Sequence, residues 1–325
     1  MSATKATVQT ERPQIAERQA QRRPPRSRVS KRAVPYLFIT PAVILEFLIH
    51  ILPMLIGIAI SLIGLTLFYV HYWTQAPFVG LQNYAIALNF AGSSGSALLR
   101  SFLITLAYTV LVVGISWMLG MAAALLLNGN LRGRTWFRTL FLIPYALPAY
   151  IVVITWSFML QKDNGAINAL LSAFHVSNPP FWLVGTNAFW SMVMTAIWRT
   201  WPFAFLFLLA GLQSIPADMY EAASLDGASK WRQFLAITLP SLKPVNVVLL
   251  IVTFLWTFND FNTPYVLFGQ SPPSSADLLS LHIYVNSFVN WNFGLGAAMS
   301  VLLLLFLFVV TLVYLRIFQA GGESS

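Results

Sequence analysis

Residues Glu221–Pro240 read EAASLDGASKWRQFLAITLP, a polar and amphipathic segment held between two apolar runs of membrane-crossing length. Pro216, just upstream, suits a first helical turn, where a missing N–H costs little. Asp218 and Glu221 then lie near the positive end of the helix dipole. Ala222 and Ala223 are small, so another surface can approach closely. Gly227 can take the left-handed conformation that ends a helix. A second short helix is expected over Ser229–Thr238, with Trp231, Phe234, Leu235 and Ile237 for packing. Lys230, Arg232 and Gln233 are expected to face water or headgroups, and Pro240 and Pro244 punctuate entry to the next apolar run. The segment therefore reads as a helix–turn–helix at a membrane surface. Its blandest form is an interfacial amphipathic hairpin with no partner.

The rest of the chain sets that hairpin in a membrane. Of 325 residues, 58% are apolar and 9% charged, against about 25% charged in a soluble domain. Apolar runs stand at about Ala33–Phe68, Leu99–Leu127, Trp136–Leu160, Ala188–Leu212, Val245–Phe268 and Phe293–Phe318. Each crosses hydrocarbon best as a helix, which satisfies its own backbone. The first run exceeds one span, and Pro41 and Pro53 are candidate kinks; Pro144 and Pro148 are candidate hinges in the third. QKDNGAINALL, within Gln161–Asn187, reads as a short surface helix.

The net charge of +9 raises the question of nucleic acid, but its distribution answers it. Residues 1–32 hold nine Lys or Arg against Glu11 and Glu17, and read as a disordered basic tail that can touch anionic headgroups. Arg132, Arg134, Arg138, Lys230, Arg232, Lys243 and Arg316 fall on the same side as the tail if there are six spans. Arg100, Lys162 and Arg199 are the exceptions. By the positive-inside rule, both termini and the hairpin are expected in the cytoplasm. The expected organisation is a tail (1–32), a six-helix transmembrane domain (33–319) with its loop at 213–243, and a short cytoplasmic tail (320–325).

Ionisable groups at membrane depth are costly and often functional. Glu46 and His50 share a face of the first run, Arg199 lies mid-way along the fourth, and Asp260 stands in the fifth among Trp256, Asn259 and Asn262. Amides, a carboxylate and aromatic faces suit a sugar pathway, to which Tyr150 and Trp156 can add. Internal pairing of Arg199 with Glu46 or Asp260 is the structural alternative. A proton relay through Glu46, His50 and Asp260 is a third reading. Catalysis has no candidate: cysteine is absent, the four His are scattered, and neither a metal-ligand spacing nor a Ser–His–Asp set occurs. No phosphate-binding G-x-x-x-x-G-K-[ST] occurs either; GNLRGRT from Gly129 lacks the Lys and the spacing.

Glu-Ala-Ala, three residues, Gly227, nine residues, then Ile-x-Leu-Pro has the spacing of an EAA loop. With PYLFITPAVILEFLIHILPMLIGIAISL, FVGLQNY, FRTLFLIPYALPAYIVVITW, DNGAINALL and LAGLQSIPADMYEAASLDGASKWRQFLAITLPSLKP, the chain resembles the binding-protein-dependent type I sugar permeases of ABC importers, of the maltose and glycerol-3-phosphate kind. It looks like the first of two permease subunits. It departs from the pattern after Val266, where LFGQSPPSSADL stands in place of a glycine-rich loop. The resemblance implies an all-α, six-span type I ABC importer permease fold with a cytoplasmic EAA coupling helix. It also implies coupling through Glu221, Ala222, Ala223, Asp226, Gly227, Leu239 and Pro240. The implied partners are a second homologous permease in a heterodimer, two ATP-binding cassette subunits and an extracellular or periplasmic solute-binding protein. ATP and Mg would be bound by the ATPase and no cofactor by this chain, in a prokaryotic cell membrane. The implied cargo is a mono- or disaccharide of maltose or trehalose type. A phosphorylated polyol, or a proton-coupled carrier acting alone, are the alternatives.

Overall fold

The computed structural model describes residues 34–129 and 131–320. The basic tail expected over residues 1–32, and residues 321–325 of the short C-terminal tail, lie outside the described residues. The chain divides into two compact units, Met1–Ile56 and Gly57–Ser325.

In the first unit, helix Val34–Glu46 runs through Pro41 into a wider π turn, Phe47–Ile51, before helix Leu52–Ser61 begins. The Leu52 N–H closes that turn on the Phe47 carbonyl. Pro53 lacks an N–H, and its ring crowds the carbonyl four residues back. A widened turn immediately ahead of it absorbs both defects. The same device recurs before Pro240, where the Leu239 N–H bonds the Phe234 carbonyl.

Among the described residues, five helices are long and apolar enough to cross a membrane: Pro35–Ser61, Ser93–Asn128, Asn187–Gln213, Lys243–Phe268 and Phe293–Phe318. The third expected span is instead a pair, Arg134–Ala146 and Ala149–Met159, bent by 90°. Counting the pair as one interrupted span gives the expected six. The bend falls at Leu147 and Pro148, both extended, with ψ of 140° and 133°. A residue before proline is driven out of the helical region by the pyrrolidine ring. Pro144 stays within the helix, so the break belongs to Pro148.

Span two (Ser93–Asn128) and span four (Asn187–Gln213) form the central contact. Their facing sides mix small and hydroxylated residues with buried large ones such as Tyr108, Met121, Phe205 and Leu208. Ser101, Thr105, Thr109, Ser116, Gly120 and Ala124 are buried along one side of span two, whereas Leu103, Val110, Met118 and Leu126 are exposed. In lipid, apolar residues gain nothing by turning inward, and close backbone approach drives association instead. A Cβ on Gly120 would lie 2.7 Å from the Phe205 nitrogen. Tyr108, Val153, Met192 and Leu278 build a second cluster, and Leu98, Phe258, Leu295 and Met299 a third. Cross-links tie span five (Lys243–Phe268) to its neighbours. Trp117 Nε1 donates to Asn246 Oδ1 at 2.8 Å, and the Tyr314 hydroxyl donates to the Val247 carbonyl at 2.9 Å. The surface helix expected in QKDNGAINALL is present as Ala166–Ala173.

Candidate functional site

The hairpin between spans four and five is built as its residues dictate. Its first helix is Ala217–Leu225. Pro216 stands just before it in extended conformation (ψ 135°) rather than in its first turn, so the ring never meets the helix. The helix ends in a paired cap: the Ala228 N–H bonds the Ala223 carbonyl at 2.9 Å, and the Gly227 N–H bonds Ser224 at 3.1 Å. That closure requires a left-handed residue between them, and Gly227 supplies it at φ +76°. The second helix starts at Lys230, where the Ser229 side chain caps the Arg232 N–H. It extends through the π turn Phe234–Thr238 to Ser241, beyond the expected end at Thr238.

Two side-chain links hold the arms together. Gln233 Nε2 donates to Ser224 Oγ at 2.9 Å and to the Ala228 carbonyl at 3.0 Å, and Tyr220 and Thr238 share a hydrogen bond of 2.9 Å. Gln233 was expected to face water or headgroups; it is buried, because it answers polar groups freed at the turn. Trp231 is exposed yet stacks on Phe234 with centroids 5.5 Å apart, and Leu235, expected to pack, is exposed; Phe234 alone of that set reaches the core formed by spans two and four. Of the expected coupling residues, Glu221, Ala222, Asp226, Gly227 and Pro240 are exposed, and Ala223 and Leu239 half-buried. Leu225 stands at the tip, 90% exposed. A cavity of about 520 Å³ opens beside the hairpin, lined by Leu125, Tyr220, Trp231 and Phe234 among others. The hairpin is thus a stiff, capped knob with an apolar tip.

At the other end of span five the helix breaks after Phe258 and resumes at Asn262. Asp260, in the break, is a hub. Its Oδ2 accepts from Tyr108 Oη at 2.8 Å, Arg199 Nη2 at 3.1 Å and Thr263 Oγ1 at 2.6 Å. Its Oδ1 accepts the Thr263 N–H at 3.1 Å, and its own carbonyl accepts from Ser280 Oγ at 2.8 Å. Its side chain is 3% exposed and that of Arg199 21%. The pairing anticipated for Arg199 is therefore with Asp260, and it ties spans two, four and five. Glu46 pairs with His50 at 3.2 Å, and both are exposed.

The remaining residues of the expected pathway split between positions. Trp256, Asn259 and Asn262 are exposed, spaced three apart across the break. Tyr150 is exposed on the second half of the bent span. A cavity of about 390 Å³ brings Arg199 and Trp256 together with Tyr145, Thr200 and Thr253. Tyr108 and Thr263, partners of Asp260, carry no sequence signal that would single them out. Nor does the Asp277 cluster, in which one carboxylate oxygen accepts from Ser101 Oγ at 2.9 Å and contacts His282 Nδ1 at 2.8 Å. Asp277 and His282 are five residues apart, but Ser101 lies 176 residues from Asp277. They fasten the divergent loop to span two, helped by the Leu279 N–H on Thr105 Oγ1 at 2.8 Å.

Comparison with known proteins draws these features together. The family model described as binding-protein-dependent transport system inner membrane component matches residues 116–320, which contain the hairpin and the Asp260 break. The trehalose/maltose transport system permease protein MalF of Thermococcus litoralis is 38% identical over 284 residues, 87% of this chain and 92% of that protein. The trehalose transport system permease protein SugA of Mycobacterium tuberculosis is 32% identical, covering 92% of this chain and 94% of its own length. A solved bacterial ABC transporter involved in the import of the acidic polysaccharide alginate shares the fold, with a TM-score of 0.75 at 21% identity over 89% of this chain and 96% of that one. With most of its length matched by such relatives and its last two thirds by the family model, this chain belongs to the binding-protein-dependent transport system inner membrane components, as an ABC transporter permease.

Proposed function

We propose that this permease is one half of the channel of an ATP-driven carbohydrate importer, with a second homologous permease as its other half. The observation that carries the reading is the hairpin: a cap-locked turn at Gly227 with exposed Glu221, Ala222, Asp226 and Leu225. Such a knob transmits motion because it is rigid and ends in an apolar contact. It seats in a cleft on one of two ATP-binding cassette subunits, which bind ATP and Mg. Closure of that pair pulls the knob, and the permeases rock between inward-open and outward-open states. A binding protein delivers the solute from the far side, and both termini and the hairpin lie in the cytoplasm.

The sugar class is supported by the named substrates of the relatives MalF and SugA. The exposed stripe of Trp256, Asn259 and Asn262 supports it too, because amides at membrane depth demand a wet cavity or a partner. A maltose- or trehalose-type sugar fits best. A relative that carries glycerol-3-phosphate, UgpA of Agrobacterium fabrum, makes a phosphorylated polyol the competing solute. Arg199 disfavours it, since its charge is matched by Asp260. A lone proton carrier is disfavoured by the same pair, whose carboxylate already accepts from three side chains.

Co-expression with the ATPase, the partner permease and the binding protein, then uptake into proteoliposomes, tests the reading. ATP-dependent accumulation of maltose or trehalose is expected. Uptake without ATP that collapses with the proton gradient refutes it, and accumulation of glycerol-3-phosphate alone moves the solute class.

A further inference from the structure

The exposed stripe on span five does not end at Asn262. Phe261 and Tyr265 stack with centroids 4.9 Å apart and planes at 21°. Phe261 meets Tyr284 at 5.1 Å, and Tyr284 continues to Phe288 at 5.3 Å. Phe288 meets Phe293 at 5.7 Å, and Phe293 meets Trp291 at 6.0 Å. Six rings thus form one unbroken row: five come from the end of span five, the helix Leu279–Val289 and the helix that begins at Phe293, and Trp291 from the turn between the last two. The row lies at the end of span five opposite the hairpin. All six rings keep accessible surface, and Phe288 is 59% exposed.

The far end of the row carries a backbone anomaly. Trp291 has φ +55°, a conformation that a bulky L-residue avoids. It closes the π turn Val285–Val289, where the Asn290 N–H bonds the Val285 carbonyl at 2.9 Å and the Asn292 N–H bonds Asn286 at 3.1 Å. At the comparable helix ends among the described residues, Gly227 and Gly269 hold the left-handed place, and His175 (φ +64°) is the other non-glycine that does so. Glycine would fit the turn better, yet the position carries an indole that is 43% exposed and meets Phe293 edge-on.

Two features identify what the row takes. It joins the amide stripe directly, because Asn262 follows Phe261 in the chain and precedes Tyr265 by one helical turn. It also carries no formal charge, while Tyr265 and Tyr284 place hydroxyls along it. Ring faces match the C–H surface of a sugar, and the hydroxyls and amides match its edges. A sequence of weak sites lets a solute enter and leave, which one tight site does not. We propose that this row is a stacking track on which a neutral sugar passes from the end of the permease opposite the hairpin to Asn262, Asn259 and Trp256. The proposal rests on the carbohydrate reading given above.

The test is uptake of radiolabelled maltose and trehalose by the whole transporter, with its ATPase and binding protein, in proteoliposomes. Phe288→Leu and Trp291→Gly are each expected to lower the maximal rate about tenfold, equivalent to roughly 1.4 kcal/mol on the barrier. The half-saturating concentration of loaded binding protein and the thermal melting of the complex stay at parent values. Phe288→Tyr, which keeps the ring, transports as the parent does. Trp291→Gly separates the ring from the fold, because it relieves the backbone while removing the indole. Parent-like uptake by both ring-deleted variants overturns the track and leaves the carbohydrate reading standing. So does a loss that follows a fall in melting temperature and is not rescued by Phe288→Tyr. A parent complex that imports another solute but neither sugar overturns both readings.

Discussion

Replacing Gly227 gives a graded perturbation whose size follows from one dihedral angle. The residue sits at φ +76°, and a Cβ built there meets nothing within 4 Å. No neighbour has to move, so the whole cost is conformational. For an L-residue the left-handed region costs about 1–2 kcal/mol, with Asn below Ala because its side chain bonds locally. A β-branched side chain stands at the top of that range or above it. At about 1.4 kcal/mol per factor of ten, the capped hairpin loses little population in Gly227→Asn, roughly fivefold in Gly227→Ala and on the order of thirtyfold in Gly227→Val. The assay is ATPase activity stimulated by loaded binding protein, in nanodiscs, beside recovery of the ATPase with tagged permease. Activity is expected to fall in the order Gly, Asn, Ala, Val, with the amount of permease in the membrane unchanged. If Asn is as damaging as Val, backbone conformation is not the cause, and a partner surface must press on the Gly227 α-carbon instead. Full uptake by Gly227→Val removes the hairpin from the coupling mechanism.

Three further outcomes follow from contacts described above. Asp260→Ala strips Arg199, Tyr108 and Thr263 of their shared acceptor, and breaking a buried ion pair costs on the order of 3–5 kcal/mol; a large drop in melting temperature is expected, and a stable variant with altered sugar affinity alone would contradict the hub. Gln233→Leu loses the bonds to Ser224 and Ala228, at about 0.5–1.5 kcal/mol each because both acceptors reach water; proteolysis within the hairpin should accelerate and ATPase recovery fall, and unchanged cleavage would show that the cap alone holds the turn. Gly120→Leu forces side-chain atoms into the Phe205 backbone, so no assembled transporter should be recovered, and normal assembly would disprove the tight crossing of spans two and four.

The apolar spans and the hairpin between spans four and five were legible in the chain, because each is local. Twenty apolar residues need a helix in lipid whatever surrounds them, and a glycine after a short helix marks its left-handed end. The bend at Pro148 was legible for the same reason, although Pro144 carried an equal signal and stays helical. Gln233 was misjudged because polarity alone says only that a side chain needs partners. The structure supplies them from Ser224 and Ala228, so the side chain turns inward.

What the sequence could not decide is which distant groups meet. Arg199 had two carboxylates to choose from, Glu46 and Asp260, and nothing local ranks them. Tertiary packing brings Asp260 to 3.1 Å from the guanidinium and leaves Glu46 with His50. Tyr108 lies 152 residues from Asp260, and Ser101 lies 176 from Asp277, so neither contact leaves a trace in spacing. The same holds for the six-ring row, whose members come from three helical segments and the turn before the last of them. Local chemistry determines helix, turn and membrane depth, since those depend on neighbours a few residues away. The partners of buried charges, and the rings a solute meets, depend on how helices pack, and in lipid that packing is set by side-chain fit that hydrophobicity does not encode.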